Sequence, residues 1–244
     1  MEKPILVIGE ACTDTFVYGS CVRLCPEGPI PVLVPSKTTT NGGMALNVKK
    51  TLDALGASAH AVTNNNSEQI SKTRFIDESS NHMFLRVDEA DNDYGRCNVK
   101  EIDFPQYSAV IISDYDKGFL SEADIHFIGE SHPLVFLDTK KILGPWCESV
   151  SFIKINIVEY ERTKHILTEE INKKLITTMG ADGARFQGKV YPVPQVEIKD
   201  TSGAGDTFLA ALVVSYIESQ SLDKAIIHAN NCATVVVQKR GVTA

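Results

Sequence analysis

Long apolar runs are missing from this chain of 244 residues. Stretches such as Ala109 to Ile112 and Thr234 to Val237 fall far short of the roughly 20 residues a helix needs to cross a bilayer, so no membrane partner is expected. Positive charge is also scarce. With 24 Lys and Arg against 31 Asp and Glu, the net charge is -7, and the basic footprint of a nucleic-acid binder is absent. Any anionic ligand must be held by a local cluster. The six cysteines (Cys12, Cys21, Cys25, Cys97, Cys147, Cys232) contain one close pair, and the six histidines fall at no metal-ligand spacing, so reduced thiols and no zinc site are expected. After the first β-prone run the chain reads Gly9-Glu10-Ala11-Cys12, without G-x-G-x-x-G, and no G-x-x-x-x-G-K-S/T occurs. Dinucleotide dehydrogenases and P-loop enzymes are thereby set aside. Met1-Glu2-Lys3-Pro4 leads into Ile5-Leu6-Val7-Ile8 without a basic region and cleavage site, so a cytoplasmic location is expected.

What is present has ordinary globular proportions, 43% hydrophobic and 23% charged, and the length suits a single domain over residues 1–244. Ile5–Ile8, Thr15–Tyr18 and Pro31–Val34 read as strands, and the pair around Lys72–Ile76 and Met83–Val87 reads as a hairpin. Asn41-Gly42-Gly43 leads into Met44, Val48, Leu52 and Leu55, apolar positions at helical spacing that stop at Gly56. From residue 109 onward, Ala109–Ser113, Leu134–Asp138, Phe152–Ile155 and Leu175–Thr178 are short apolar runs with room for a helix between them. That alternation predicts an α/β fold with a mostly parallel sheet flanked by helices. Helices are expected over 204–219 and 222–239.

The most informative segment is Asp200-Thr201-Ser202-Gly203-Ala204-Gly205-Asp206-Thr207-Phe208. Small residues open a helix there, leaving its first amides free to meet an anion at the positive end of the helix dipole. Asp206 lies in that first turn, where it can take a proton from an attacking hydroxyl. The plainer alternative is a Ser/Thr cap followed by an Asp that favours the dipole.

That string resembles the C-terminal signature of the ribokinase-like (PfkB-type) carbohydrate kinases. The resemblance implies that Asp206 is the catalytic base and that Gly203, Ala204 and Gly205 supply an anion hole. It implies a ribokinase-like sheet with a small β lid, from segments near 15–34 and 72–88, and sugar contacts from Asp14, Gly42, Gly43 and Asn47. Within the family, Arg23-Leu24-Cys25-Pro26-Glu27-Gly28-Pro29-Ile30-Pro31-Val32, Lys72-Thr73-Arg74, Leu85-Arg86-Val87-Asp88, Ser113-Asp114-Tyr115-Asp116-Lys117-Gly118 and Asp138-Thr139-Lys140 resemble the heptose-7-phosphate kinase domain of bifunctional kinase/adenylyltransferases. By that resemblance Lys72, Arg74, Arg86, Asp114 and Lys117 would face an acceptor that already carries a phosphate. ATP and magnesium are the implied cofactors, with a monovalent cation as a further candidate. Lys140, Asn156, Glu159, Thr178, Gly180, Gly183 and Asn230 are then the nucleotide-side residues, and Glu159 would act indirectly on magnesium. Asn156-Ile157-Val158-Glu159 is equally an ordinary helix capping box. A homodimer through the β lid is the implied assembly.

Two departures stand out. After Leu55-Gly56-Ala57 the family continues with a strand and a helix before Lys-x-Arg, whereas here Lys72 follows a short Asn-rich stretch, so one βα unit is expected to be missing. No His-x-Gly-His occurs, so if Ala244 closes the protein only the kinase step is expected of it. The readings that follow are an ATP-dependent kinase of a sugar or sugar phosphate, with heptose 7-phosphate at O1 a candidate; a catalytically weak sugar-phosphate-binding or regulatory protein on the same fold; and a nucleoside kinase.

Overall fold

The structure is a computed structural model and describes residues 3–239 and 241. In chain order the elements are β1 (Ile5–Gly9), β2 (Thr13–Ser20), β3 (Val34–Asn41), α1 (Met44–Ala54), β4 (Ala59–Val62), β5 (Ser71–Asp77) and β6 (Met83–Glu89). They continue with β7 (Ala109–Asp114), α2 (Glu122–Ser131), β8 (Val135–Thr139), β9 (Phe152–Asn156), α3 (Ile157–Thr163), α4 (Glu169–Lys174) and β10 (Leu175–Thr178). The chain closes with β11 (Ala184–Phe186), β12 (Lys189–Tyr191), α5 (Ala204–Ser219) and α6 (Leu222–Val236).

The apolar runs make an eight-stranded sheet in the order β12-β11-β10-β9-β8-β7-β1-β4, parallel from β10 to β4 with an antiparallel hairpin at the far edge. Alternation along a strand sends side chains to opposite faces, so Ile5 and Val7 pack against α1, α5 and α6 while Leu6 and Ile8 pack toward α2 and α4. Both faces are covered, which is why every residue of β7 and β8 is buried. α5 is apolar nearly all round, with Phe208 to Val213 buried between the sheet and α6. The carboxyl ends of the strands and the N-terminus of α5 therefore open on the same edge, where open parallel sheets hold their ligands. Over that edge lies a second sheet, β3-β2-β5-β6.

Three expectations need correction. The third strand is Val34–Asn41, not Pro31–Val34: the Thr-rich run takes the β-propensity role, and residues 21–33 form a loop pinned by a bridge between Leu24 and Pro31. The strand of the missing βα unit is present as β4, paired with β1; where the helix is expected there are turns over 65–69. Between β8 and β9 there is a single 3-10 turn, Pro145–Cys147, rather than a helix. Among the described residues no helix is long and apolar enough to cross a membrane.

Gly9 ends β1 beside β7, where a Cβ would stand 2.0 Å from the Ser113 carbonyl oxygen. Gly9→Ala is expected to separate the two strands at the site edge and cost about 1–3 kcal/mol in urea denaturation. An unchanged midpoint would contradict this packing.

Candidate active site

The turn before α5 is tied down by one carboxylate. Asp200 Oδ1 accepts from the Ser202 amide at 2.8 Å and Oδ2 from the Gly241 amide at 3.0 Å. Gly203, at φ 78°, then turns the chain into the helix through a left-handed conformation that glycine adopts without strain. Of the expected amide trio, Ala204 drops out, because its N–H donates to the Thr201 carbonyl at 3.2 Å. The N–H groups of Gly203, Gly205 and Asp206 meet no acceptor among the described residues, so these three are the amides free to meet an anion.

Asp206 is buried. Asn47 Nδ2 on α1 donates to its Oδ2 at 3.3 Å, and the Tyr115 hydroxyl donates to its Oδ1 at 3.2 Å. Burial and the nearby charge of Asp138 push its carboxyl up to about 6, against the opposing pull of Lys154 and the two donors. The same burial, with Asp206 alongside, drives the Tyr115 phenol well above its ordinary value, so it stays a donor.

Two cavities meet at Asp206, and Tyr115 and Gly203 line both. The larger, about 500 Å³, runs from Gly203, Ala204 and Gly205 past Lys140, Asn156, Thr178, Gly180 and Gly183 to an apolar end at Val193, Val196, Ile198 and Val237. Asn230 is part of its wall, with its side-chain amide donating to the Tyr191 carbonyl at 2.7 Å. Glu159 is not in that wall. Its carboxylate caps β9's end, accepting from the Asn156 backbone and side-chain amides at 2.8 Å each, and binds Lys140. The capping-box reading of Asn156 and Glu159 is therefore correct in geometry.

The smaller cavity, about 260 Å³, lies under the second sheet and is lined by Asp14, Asn47, Lys72, Arg74, Arg86 and Lys117 together with Cys12 and Met44. Register explains the clustering: Asp14 of β2 faces Lys72 of β5, which faces Asp88 of β6, and Arg74 two residues on faces Arg86. Each cation has an acidic partner. Arg74 pairs with Asp14 and stacks on the Phe16 ring at 4.8 Å, Arg86 pairs with Asp88, and Lys72 and Lys117 both bind Asp91 at 2.6 and 2.7 Å. Those two lysines and the Tyr94 hydroxyl hold Asp91 down to about 2 although burial opposes it. Asn47 Oδ1 is buried in this wall with no hydrogen-bond partner. Gly42 and Gly43 line neither cavity; they form the turn, with Gly43 at φ 55° and no room for a Cβ against Cys12. Asp114 also lines neither, because its carboxylate is buried under β7 against Thr139 and Lys141.

Sequence reasoning passed over Tyr115, Asp91, Asp138, Lys154 and Glu10. Glu10 is fully buried, and its two oxygens accept from the backbone amides of Tyr115 at 2.8 Å and Lys117 at 3.1 Å. Burial and the charge of Asp114 raise its carboxyl. One group thus fixes the segment that feeds a side chain to each cavity.

The fold is that of ribokinase: 99% of the chain overlays 94% of Arabidopsis thaliana ribokinase, solved with ribose and ATP, at a TM-score of 0.71 and 17% identity. Residues 148–244, which include Gly203, Gly205 and Asp206, match the model of the pfkB family carbohydrate kinases. The chain is 30% identical over 294 residues to the bifunctional protein HldE of Helicobacter pylori strain J99, and 29% over 291 residues to that of Nitratiruptor sp.. Those alignments take in 98% and 99% of this chain but 64% and 63% of the relatives, so the chain spans less than two thirds of their length.

Glu10→Gln would turn one acceptor into a donor facing an N–H. Faster hydrogen exchange at the Tyr115 and Lys117 amides, with the centre of β1 still protected, is the expected result; unchanged exchange at both would show that Glu10 does not anchor the segment.

Proposed function

We propose that this chain is an ATP-dependent kinase of a phosphorylated sugar. The observation that carries the reading is Asp206 in the wall between a cavity with free helix amides and a cavity lined by cations. ATP occupies the larger cavity, with its base toward Val193, Val196 and Val237 and its phosphates toward Gly203, Gly205 and Asp206. The acceptor sits in the smaller one, its phosphate met by Lys72, Arg74, Arg86 and Lys117. A transferable hydroxyl there donates to Asp206, and a neighbouring hydroxyl supplies the donor that Asn47 Oδ1 lacks. Asp206 takes the proton as the hydroxyl attacks in line, while the amides stabilise the charge on the moving phosphoryl group.

No group of three or more metal-ligating side chains occurs among the described residues, which suits a magnesium ion carried mainly by nucleotide phosphates. Asp138 Oδ1, buried on the cavity wall without a partner, is the oxygen available to its water shell. Bound magnesium would offset the charge of the phosphates. Heptose 7-phosphate is the first acceptor to try, on the strength of the motif resemblance and of the cations.

The test is ADP release with magnesium and a panel of heptose 7-phosphate, hexose phosphates, free sugars and nucleosides. Turnover with a phosphorylated sugar, falling about 10²–10⁴-fold in Asp206→Asn, is expected. Because the base acts as its carboxylate and its pKa is pushed up to about 6, kcat/KM should fall as pH drops through about 6; a profile flat to pH 5 would rule Asp206 out as the base. Sugar-phosphate binding without turnover would favour the regulatory reading, which the missing helix after β4 motivates.

A homodimer through the lid completes the proposal. Leu24, Ile30, Val34, Met83 and Leu85 are exposed on the lid and its loop, beside the free edges of β3 and β6. Sedimentation should give twice 26.7 kDa, reduced to one protomer by Met83→Lys with Leu85→Lys. A monomeric wild type would exclude the dimer.

A further inference from the structure

Lys154 is a buried lysine beside the anion hole. It lies in the middle of β9 next to Asp138 of β8, which the parallel register places directly across from it, and its ammonium lies 2.7 Å from Asp138 Oδ2. Only 5% of its side chain is exposed. The ammonium also reaches the first turn of α5, since a Cβ on Gly205 would stand 3.1 Å from Nζ. Both Lys154 and Asp138 line the larger cavity with Gly203, Gly205 and Asp206. The other lysine of that wall, Lys140, is one-third exposed and bound to Glu159. Asp138 Oδ1 has no hydrogen-bond partner, so the pair is only half satisfied.

A structural ion pair explains the 2.7 Å contact but not its position. Burying two charges costs several kcal/mol of desolvation, and an apolar pair of similar volume is often as stable. Here the cation is held at the point where backbone amides alone would otherwise meet a phosphoryl group carrying negative charge. Gly205, with no side chain, leaves the space between them open.

We propose that Lys154 is a second catalytic residue of the transfer, its ammonium contacting the phosphoryl group in flight, and that Asp138 is the positioning carboxylate that holds it over Gly205. This rests on the kinase reading. In the step, the acceptor O–H gives its proton to the Asp206 carboxylate, the acceptor oxygen–phosphorus bond forms, and the bond from the γ-phosphorus to the β–γ bridging oxygen breaks with its electron pair leaving on the nucleoside diphosphate. Lys154 enters and leaves as an ammonium. Nothing is oxidised or reduced, and the nucleoside triphosphate is the only co-reactant.

Lys154→Met keeps the length of the side chain and removes the charge. Its kcat is expected to fall about 100-fold, the scale for one lost donor to a transition-state oxyanion, with the acceptor KM within about threefold of wild type. Calorimetry separates this from a structural role. ADP alone should bind within about threefold of wild type, whereas ADP with aluminium fluoride and acceptor should bind at least about 30-fold more weakly; Lys154→Arg should recover part of both losses. If Lys154→Met does not fold, Lys154→Gln, which keeps a neutral hydrogen-bond donor toward Asp138, carries the same measurements. A variant that turns over within about threefold of wild type, or that loses ADP and ADP–aluminium fluoride affinity equally, would overturn the assignment. Absence of ADP release from wild type with every acceptor would instead remove the kinase reading, and this step with it.

Discussion

A buried carboxylate at the start of a helix must be held by something, and the grip on Asp206 organises the rest of the molecule. Asn47 reaches it from α1 and Tyr115 from the segment after β7, so the helix that opens the chain's first half and the strand at the sheet's centre both close on the N-terminus of α5. Glu10 extends that grip one step further by pinning Tyr115 and Lys117 from the end of β1. Burial is also what sets the chemistry. A carboxylate in water is too weak a base to be poised near neutrality, and at this junction desolvation and Asp138 bring it to about 6.

On the lid side the governing fact is that the cations are already paired. Asp14, Asp88 and Asp91 hold Arg74, Arg86, Lys72 and Lys117 in place before any ligand arrives. Such an arrangement keeps long side chains ordered in a protein of net charge -7, and it makes an anionic ligand compete with carboxylates for them. Discrimination then depends on geometry as well as charge, because a ligand must satisfy several cations at once to displace their partners.

Features that depend on neighbours in sequence were open to reading from the chain alone. The run from Asp200 to Phe208 announces a helix start with free amides and an acid, and α5 begins at Ala204 as its small residues imply. The parallel strands β7 to β10 follow from dense apolar runs. Features that depend on register were not. Lys154 and Asp138 meet only because β8 and β9 are aligned at those residues, and in the sequence Lys154 is one charge within an apolar strand. Glu10 reads as a strand end, and its role appears only once the 115–117 segment folds over it. β4 is four residues of weak signal, and β3 hides in a Thr-rich run next to a more hydrophobic loop. In the opposite direction, Asp114 carried the motif but is turned away into the sheet, where Thr139 and Lys141 satisfy it.

The chain keeps the ribokinase fold while aligning over 294 positions with a relative although it has 244 residues, so at least 50 of those positions have no counterpart here. Turns rather than a helix join β4 to β5, and the two cavities share the Asp206 wall. The most direct measurement is a crystal structure with magnesium and a non-hydrolysable ATP analogue. The γ-phosphate should lie within hydrogen-bonding distance of the Gly205 and Asp206 amides, facing the cation-lined cavity across Asp206. A nucleotide bound with its phosphates away from the N-terminus of α5 would contradict that arrangement.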